Sequence, residues 1–180
     1  MIAYAISDPS TLNFETLKID LERFSTKADM IVYRDKSTSS YSKNAGRFIS
    51  QAKKYSFIKI LLHTDYLLAY KLGADGIHLK STQHSDIVKA KALGLFVVIS
   101  THTVNEALMA QELGADMVTF SPIFYTPNKG KPKGLKELRC LSLVIKIPLI
   151  ALGGILTKEQ IVLCQENGAE GFASIRWFSY

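Results

Sequence analysis

Short, almost continuously apolar runs alternate along this chain with longer segments in which apolar residues recur at helical spacing. Such short runs are typical of parallel strands that are buried on both faces. The predicted strands are Ile2–Ser7, Met30–Arg34, Ile58–His63, Gly76–Lys80, Phe96–Thr101, Met117–Pro122, Pro148–Leu152 and Gly171–Arg176. The predicted helices are Leu12–Ser25, Ser40–Tyr55, Tyr66–Leu72, Ser85–Leu93, Val104–Leu113, Leu135–Lys146 and Lys158–Asn167. Strands and helices that alternate in this order predict an α/β fold, the (β/α)8 TIM barrel.

A repeated alanine–acid pair supports the same fold. The four pairs are Ala28-Asp29, Ala74-Asp75, Ala115-Asp116 and Ala169-Glu170, and each leads into a predicted strand. In the last three, the preceding residue is a glycine, which can take the left-handed conformation that ends a helix. The pairs lie roughly 40–55 residues apart, about two βα units, so they mark every second strand. One such pair is common in any α/β protein, but four at this spacing favour eight strands.

The length of the chain bounds the architecture. A chain of 180 residues, 47% of them hydrophobic, predicts one domain over residues 1–180 with a sizeable core. It is shorter than the roughly 200–250 residues of most such barrels, so we expect the last outer helix to be missing. Trp177, Phe178 and Tyr180 would then lie at an uncovered face beside strands one and eight. Either a second copy of the chain, in a homodimer, or these aromatic residues folded back would cover that face.

Charge and composition narrow the class of partner. The net charge is +6, but the basic residues are scattered through helices and clustered in one loop, residues 129–133. A nucleic-acid partner is not expected, because a basic stripe with interleaved aromatic residues is missing. A basic loop at a site's entrance fits a phosphorylated small molecule better. No membrane span or signal peptide is expected, and Cys140 and Cys164 are interpreted as reduced residues of a cytoplasmic protein.

Polar side chains gather where the predicted strands end, which is where barrels of this fold place their active sites. Three of the four histidines, His63, His78 and His102, lie at these ends. Some strand-end serines and threonines only cap the next helix. The histidines are candidates for acid–base chemistry, because their protons titrate near neutral pH.

Two features indicate phosphate binding. Gly153 and Gly154 follow strand seven and precede a helix, so backbone N–H groups and the helix N-terminus can face an anion. The same glycines are also explained by a turn that needs them for its geometry. Arg34, Lys36 and Lys129 add positive charge for a second phosphate or a diphosphate.

Five segments in this order and spacing resemble the superfamily of thiamine phosphate synthases and TenI-like thiazole tautomerases over almost the full chain. They are Tyr33–Lys36, Leu72–Leu79, Ser100–Thr103, Phe120–Lys129 and Ile150–Ile155. The synthase joins a hydroxymethylpyrimidine diphosphate to a thiazole phosphate and releases pyrophosphate. The tautomerase moves a proton on a thiazole carboxylate phosphate and needs no metal.

The resemblance implies ligand-binding roles for particular residues. Arg34, Lys36 and Lys129 match the diphosphate site, Ser100 and Thr126 lie near the pyrophosphate or the thiazole phosphate, Gly153 and Gly154 match the phosphate loop, and His78 lies at the pyrimidine end. Arg176 stands in the place of a strand-eight serine and is expected to join the phosphate site.

The chain also departs from both branches. Val32 replaces a glutamine of the synthases, Asn128 replaces a loop threonine, and the tautomerase histidine falls at Pro122. Thr64 and Gln83 align with the two carboxylates that hold Mg²⁺ in the synthases. No cofactor is therefore expected, with Mg²⁺ required only if the chain is a synthase. His63 and His102 are left as the candidate catalytic residues.

Three functions follow from these patterns. The favoured one is a TenI-like barrel protein with an altered catalytic set that binds a thiazole or pyrimidine phosphate. The first alternative is a thiamine phosphate synthase with substitute metal ligands. The second is a non-catalytic or regulatory protein that binds a phosphorylated ligand such as thiamine phosphate.

Overall fold

The structure, a computed structural model, describes residues 1–179. Eight parallel strands close into a barrel in which each strand pairs with its neighbours in the sequence. The strands are β1 (Ile2–Ile6), β2 (Met30–Tyr33), β3 (Lys59–His63), β4 (Gly76–Leu79), β5 (Phe96–Thr101), β6 (Met117–Phe120), β7 (Leu149–Leu152) and β8 (Gly171–Ser174). The described chain continues after β8 as a single 3₁₀ turn. The prediction of a TIM barrel is confirmed, and within residues 1–179 no α-helix follows β8.

Helices cover the outside of the barrel. Within residues 1–179 they are α1 (Leu17–Ser25), α2 (Tyr41–Ala52), α3 (Tyr66–Lys71), α4 (His84–Ala92), α5 (Val104–Glu112), α6 (Gly134–Ser142) and α7 (Lys158–Glu166). None of these seven, in the part of the chain described, is long and apolar enough to cross a bilayer.

The predicted start of α1 at Leu12 is wrong, because the helix begins at Leu17. The side chain of Asn13 accepts a hydrogen bond from the backbone N–H of Glu15 at 2.9 Å. The Asp20 carboxylate accepts from the backbone N–H of Asn13, also at 2.9 Å. These local bonds hold an irregular turn in place of the first helical turn.

The acids of the alanine–acid repeat bind the strand that comes before them. Their carboxylates accept the backbone N–H groups of the preceding strands in three pairs, each at 2.7 Å: Asp29 with Ala3, Asp75 with Ile60, and Asp116 with Val97. We call these three bonds the aspartate clamps. They lie at the amino ends of the strands and join β1 to β2, β3 to β4 and β5 to β6.

The inside of the barrel is apolar for most of its height. Its buried core consists of Tyr4, Ile6, Met30, Val32, Leu61, Val98, Met117, Ile150 and Ala173. At the amino end, the Lys59 ammonium lies 5.4 Å from the centre of the Phe96 ring. Gly76 packs so close to this ring's strand that a Cβ would come within 2.1 Å of the Phe96 carbonyl oxygen. We call this end the floor, and the carboxyl ends of the strands the mouth.

Aromatic side chains after β8 cover part of the outer face of the barrel, one of the two outcomes expected. Phe178 is buried, and its ring stacks on Phe172 with centroids 5.8 Å apart. Trp177 meets Phe172 edge-on at 5.9 Å. Tyr180 lies outside the described residues. A groove of about 910 Å³ remains on this outer face, lined by Ala3, Lys27, Leu156, Lys158, Ile161, Phe172, Arg176, Trp177 and Ser179.

Candidate active site

Four cationic side chains gather at one side of the mouth. Arg34 and Lys36 follow β2, Lys80 follows β4, and Lys129 lies in the loop between β6 and α6. The charge of Arg34 lowers the pKa of Lys36, assisted by burial and by Lys129 and Lys80. This mutual repulsion indicates a site suited to an anion with several negative charges. We call these four residues the cation cluster.

A chain of hydrogen bonds runs below the cation cluster. The Tyr4 hydroxyl lies 2.9 Å from Nδ1 of His78, and Nε2 of His78 lies 2.9 Å from the Ser100 hydroxyl. Tyr4 is fully buried and His78 nearly so, whereas Ser100 is half-buried at the mouth. Burial and the nearby Arg34 lower the pKa of His78 to about 3, so the imidazole is neutral at neutral pH.

His63 lies beside this chain of hydrogen bonds, with its ring centre 6.0 Å from that of His78. Burial is the main reason that the pKa of His63 is lowered to about 2. Nearby charges act in the same direction, namely His78, Arg34, Lys36 and Lys80. A neutral imidazole of such low basicity is better suited to hydrogen bonding than to accepting a proton. Its proposed acid–base role stays a prediction.

His102 occupies a different environment. It is exposed, and its Nδ1 lies 2.9 Å from the Ser121 carbonyl oxygen. A carbonyl can only accept, so Nδ1 carries the hydrogen and donates it. In this tautomer Nε2 has a free lone pair, which is the arrangement of a general base.

The two glycines after β7 lie against the loop that follows β6. Gly153 and Gly154 both have positive φ, of 99° and 69°. A Cβ on Gly154 would come within 2.5 Å of the Tyr125 carbonyl oxygen, and one on Gly153 would come within 3.3 Å of the Thr126 hydroxyl. The structure therefore brings Thr126 and the glycine loop together.

Backbone donors of the glycine loop are available to a ligand. Within residues 1–179, the N–H groups of Gly153 and Gly154 donate no hydrogen bond. The helix is less available than expected, because α7 begins only at Lys158. Its first turn is closed by a capping box between Thr157 and Gln160. The loop N–H groups are thus the candidate donors for an anion at this position.

Arg176 lies apart from the other predicted site residues. Its exposed side chain lines the outer groove together with Lys158, not the mouth. The backbone turns outward here because the Ser174 hydroxyl accepts from the Trp177 N–H at 3.1 Å. The same hydroxyl donates to the Ile155 carbonyl at 3.1 Å, so the turn is tied to the end of the glycine loop.

The residues at the mouth do not fit a Mg²⁺ ion. The acids near it, Asp8, Asp35 and Asp65, each use a carboxylate oxygen to hold the turn or helix that follows. Asp35 also stands between two members of the cation cluster. Within residues 1–179, no three His, Cys, Asp or Glu side chains converge to hold a metal. Mg²⁺ needs hard oxygen ligands that converge, which this donor set lacks.

Sequence patterns give no sign of the role of Tyr4 or of the backbone conformation of Thr64. Tyr4 lies within a strand, where its aromatic ring is indistinguishable from core. Thr64 has a φ of 70°, which is rare for a β-branched residue. Its N–H donates to the His78 carbonyl, and its carbonyl accepts from Gln83, each at 3.0 Å. Strained backbone of this kind clusters at functional sites, but no sequence pattern announces it.

A family model, named relatives and a solved structure all relate this chain to the same group of proteins. The family described as thiamine monophosphate synthase matches residues 3–178. A protein of Aquifex aeolicus, provisionally named thiamine-phosphate synthase 2, is 35% identical over 97% of this chain and 96% of its own length. The thiamine-phosphate synthase of Clostridium novyi is 30% identical over 96% of this chain and 87% of its own. The solved thiamine phosphate pyrophosphorylase of Pyrococcus furiosus superposes with a TM-score of 0.81 at 25% identity, covering 97% of this chain and 85% of that one.

Proposed function

The chain belongs to the thiamine monophosphate synthase family, and from this premise we propose that it joins a pyrimidine methyl diphosphate to a thiazole phosphate. The sequence alone favours the tautomerase branch, because the carboxylates of the synthases are replaced. Relatives of nearly the same length that are named synthases favour the other branch. The observation that carries the proposal is the cation cluster, since a thiazole monophosphate does not need four positive groups.

The reaction places most of its new charge on the leaving group. The C–O bond to the diphosphate breaks, its electron pair leaves with pyrophosphate, and the thiazole nitrogen forms the new C–N bond. Arg34, Lys36, Lys80 and Lys129 are positioned to stabilise the departing anion. The loop of Gly153 and Gly154, with Thr126 beside it, is the proposed site for the phosphate of the thiazole.

The experiment measures pyrophosphate release from the two substrates. We expect release by the wild type, and a roughly tenfold lower kcat/KM for Lys80→Met, because one cation near the leaving anion is worth about 1–2 kcal/mol. Lys71→Met, which removes a cation from the exposed end of α3, is the matched control and should keep the wild-type rate. Absence of release at high enzyme concentration would overturn the proposal.

A proton transfer on a thiazole carboxylate phosphate is the second candidate, and His102 favours it. Its Nε2 lone pair is set by the bond from Nδ1 to Ser121, as a general base requires. The test compares the ratio of thiazole isomers with and without enzyme, and then with His102→Gln. An unchanged ratio excludes this activity. If a thiazole phosphate raises the melting temperature but neither reaction proceeds, the protein is a binding protein.

A further inference from the structure

Tyr4 lies too deep in the barrel to touch a ligand at the mouth, yet it is the buried end of the hydrogen-bond chain that reaches the mouth. It is fully buried, and within residues 1–179 its hydroxyl has one polar partner, Nδ1 of His78. We propose that Tyr4 is a positioning residue that selects the tautomer of His78 and thereby makes the Ser100 hydroxyl a hydrogen-bond donor. The consequence for ligand binding rests on the function proposed above.

The Tyr4 hydroxyl is the donor of its bond to His78. Burial raises the pKa of Tyr4 well above its ordinary value, so the hydroxyl keeps its hydrogen. A buried donor without an acceptor is unfavourable. Since His78 Nδ1 is the partner at 2.9 Å, the hydroxyl donates and Nδ1 accepts. The opposite assignment, with Nδ1–H donating to the phenol oxygen, would leave the phenol hydrogen buried without an acceptor.

The tautomer of His78 determines the direction of its hydrogen bond with Ser100. A neutral imidazole has one N–H, so a ring that accepts at Nδ1 must carry its hydrogen on Nε2. Nε2–H then donates to the Ser100 oxygen at 2.9 Å. The serine hydrogen is thereby left to point elsewhere, and Ser100 is only half-buried beneath the cation cluster.

The polarity of Ser100 decides which ligand it suits. With the hydrogen free, the serine donates to a phosphate or diphosphate oxygen. In the other tautomer the serine would donate to Nε2 and present only oxygen lone pairs, which repel an anion. Tyr4 therefore acts on the ligand through two other side chains, without contact of its own.

The first measurement needs no ligand. Long-range ¹H–¹⁵N spectra distinguish the protonated from the unprotonated ring nitrogen, and loss of signals in His78→Gln assigns them. We expect His78 to be protonated at Nε2 in the wild type, and to lose this strict preference in Tyr4→Phe. A wild-type ring protonated at Nδ1, or an unchanged ring in Tyr4→Phe, would overturn the proposal. This outcome is independent of whether the protein is a synthase.

The second measurement is the affinity for inorganic pyrophosphate in a double-mutant cycle. Tyr4→Phe and Ser100→Ala should each weaken binding roughly tenfold, the size of one hydrogen bond to an anion. The double variant should be no weaker than either single variant, because both changes remove the same donor. Additive losses would show that Tyr4 acts only through packing and would refute the proposal.

A matched control removes another phenol donor. The Tyr55 hydroxyl donates to the Lys18 carbonyl at 2.9 Å on the outer surface, where it has no part in the hydrogen-bond chain of Tyr4, His78 and Ser100. Tyr55→Phe should leave both the His78 spectrum and the pyrophosphate affinity unchanged. If the wild type binds no pyrophosphate, the proposed function fails, whereas the tautomer result still decides the role of Tyr4.

Discussion

The floor and the mouth of this barrel are built on the same inward-facing strand positions, but they carry different residue types. Along β4, the inward positions pass from Gly76 at the floor to His78 and then Lys80 at the mouth. Along β5 they pass from Phe96 through Val98 to Ser100. The floor has close contacts and no room for added atoms, whereas the mouth has charged groups that repel one another.

The difference shows how stability and chemistry are separated along one strand. Close packing at the floor stabilises the fold, and it tolerates little change in side-chain volume. The cation cluster gains nothing from its own proximity, since like charges destabilise each other until an anion arrives. His78 lies at the boundary, because its ring is buried like the floor but hydrogen-bonded to the mouth.

The largest expected effect belongs to the floor. Gly76→Ala would place a Cβ 2.1 Å from the Phe96 carbonyl oxygen, so two strands must separate. We expect the free energy of unfolding to fall by about 3 kcal/mol or more, measured by urea denaturation. Gly46→Ala is the control, because its nearest neighbour is 3.8 Å away and the site is helical. If Gly76→Ala loses no more stability than Gly46→Ala, the two strands are not packed closely at the floor.

The substitution Gly154→Ala at the mouth should lower stability less than Gly76→Ala does, but it should also weaken ligand binding. Gly154→Ala combines a φ of 69° with a contact of 2.5 Å to the Tyr125 carbonyl oxygen. We expect a destabilisation of about 2 kcal/mol and at least a roughly tenfold weaker affinity for a thiazole phosphate. Gly94→Ala isolates the conformational cost, since its φ is 78° but nothing lies within 4 Å. If Gly154→Ala binds the thiazole phosphate with wild-type affinity, the glycine loop is not part of the binding site.

The dependence of stability on pH tests the environment of His78, which lies between the floor and the mouth. The pKa of His78 is lowered from 6.5 to about 3 in the folded state, so below pH 6.5 the unfolded chain takes up a proton that the native state does not. The contribution of His78 to the free energy of unfolding is therefore full above pH 6.5. It is lost as the pH falls, by about 1 kcal/mol per pH unit. His63 acts with the same sign. Urea denaturation between pH 6.5 and 4.5 should give a shallower slope for His78→Gln, and equal slopes would contradict the prediction.

Sequence patterning predicted the strands well because each is a run of apolar residues buried on both faces. It predicted the start of α1 poorly, because Asn13 and Asp20 hold a turn whose bonds are invisible to periodicity. Strand ends located the cation cluster and the histidines, since topology alone brings parallel strand ends together. Arg176 was expected at the same site, but the Ser174–Trp177 bond turns the chain outward before it. Tyr4 was missed because its role depends on a partner three strands away around the barrel and far along the chain.

The aspartate clamps have a consequence for how this chain can change over generations. They fix the alignment of three strand pairs at the amino ends, while the ligand-binding groups lie at the opposite ends. Substitutions in the cation cluster or at the mouth histidines therefore leave the aspartate clamps intact, because none of those side chains takes part in them. The chain can exchange carboxylates for lysines, or one set of histidines for another, and inherit the same scaffold unchanged. A family of this kind can diversify its chemistry one side chain at a time.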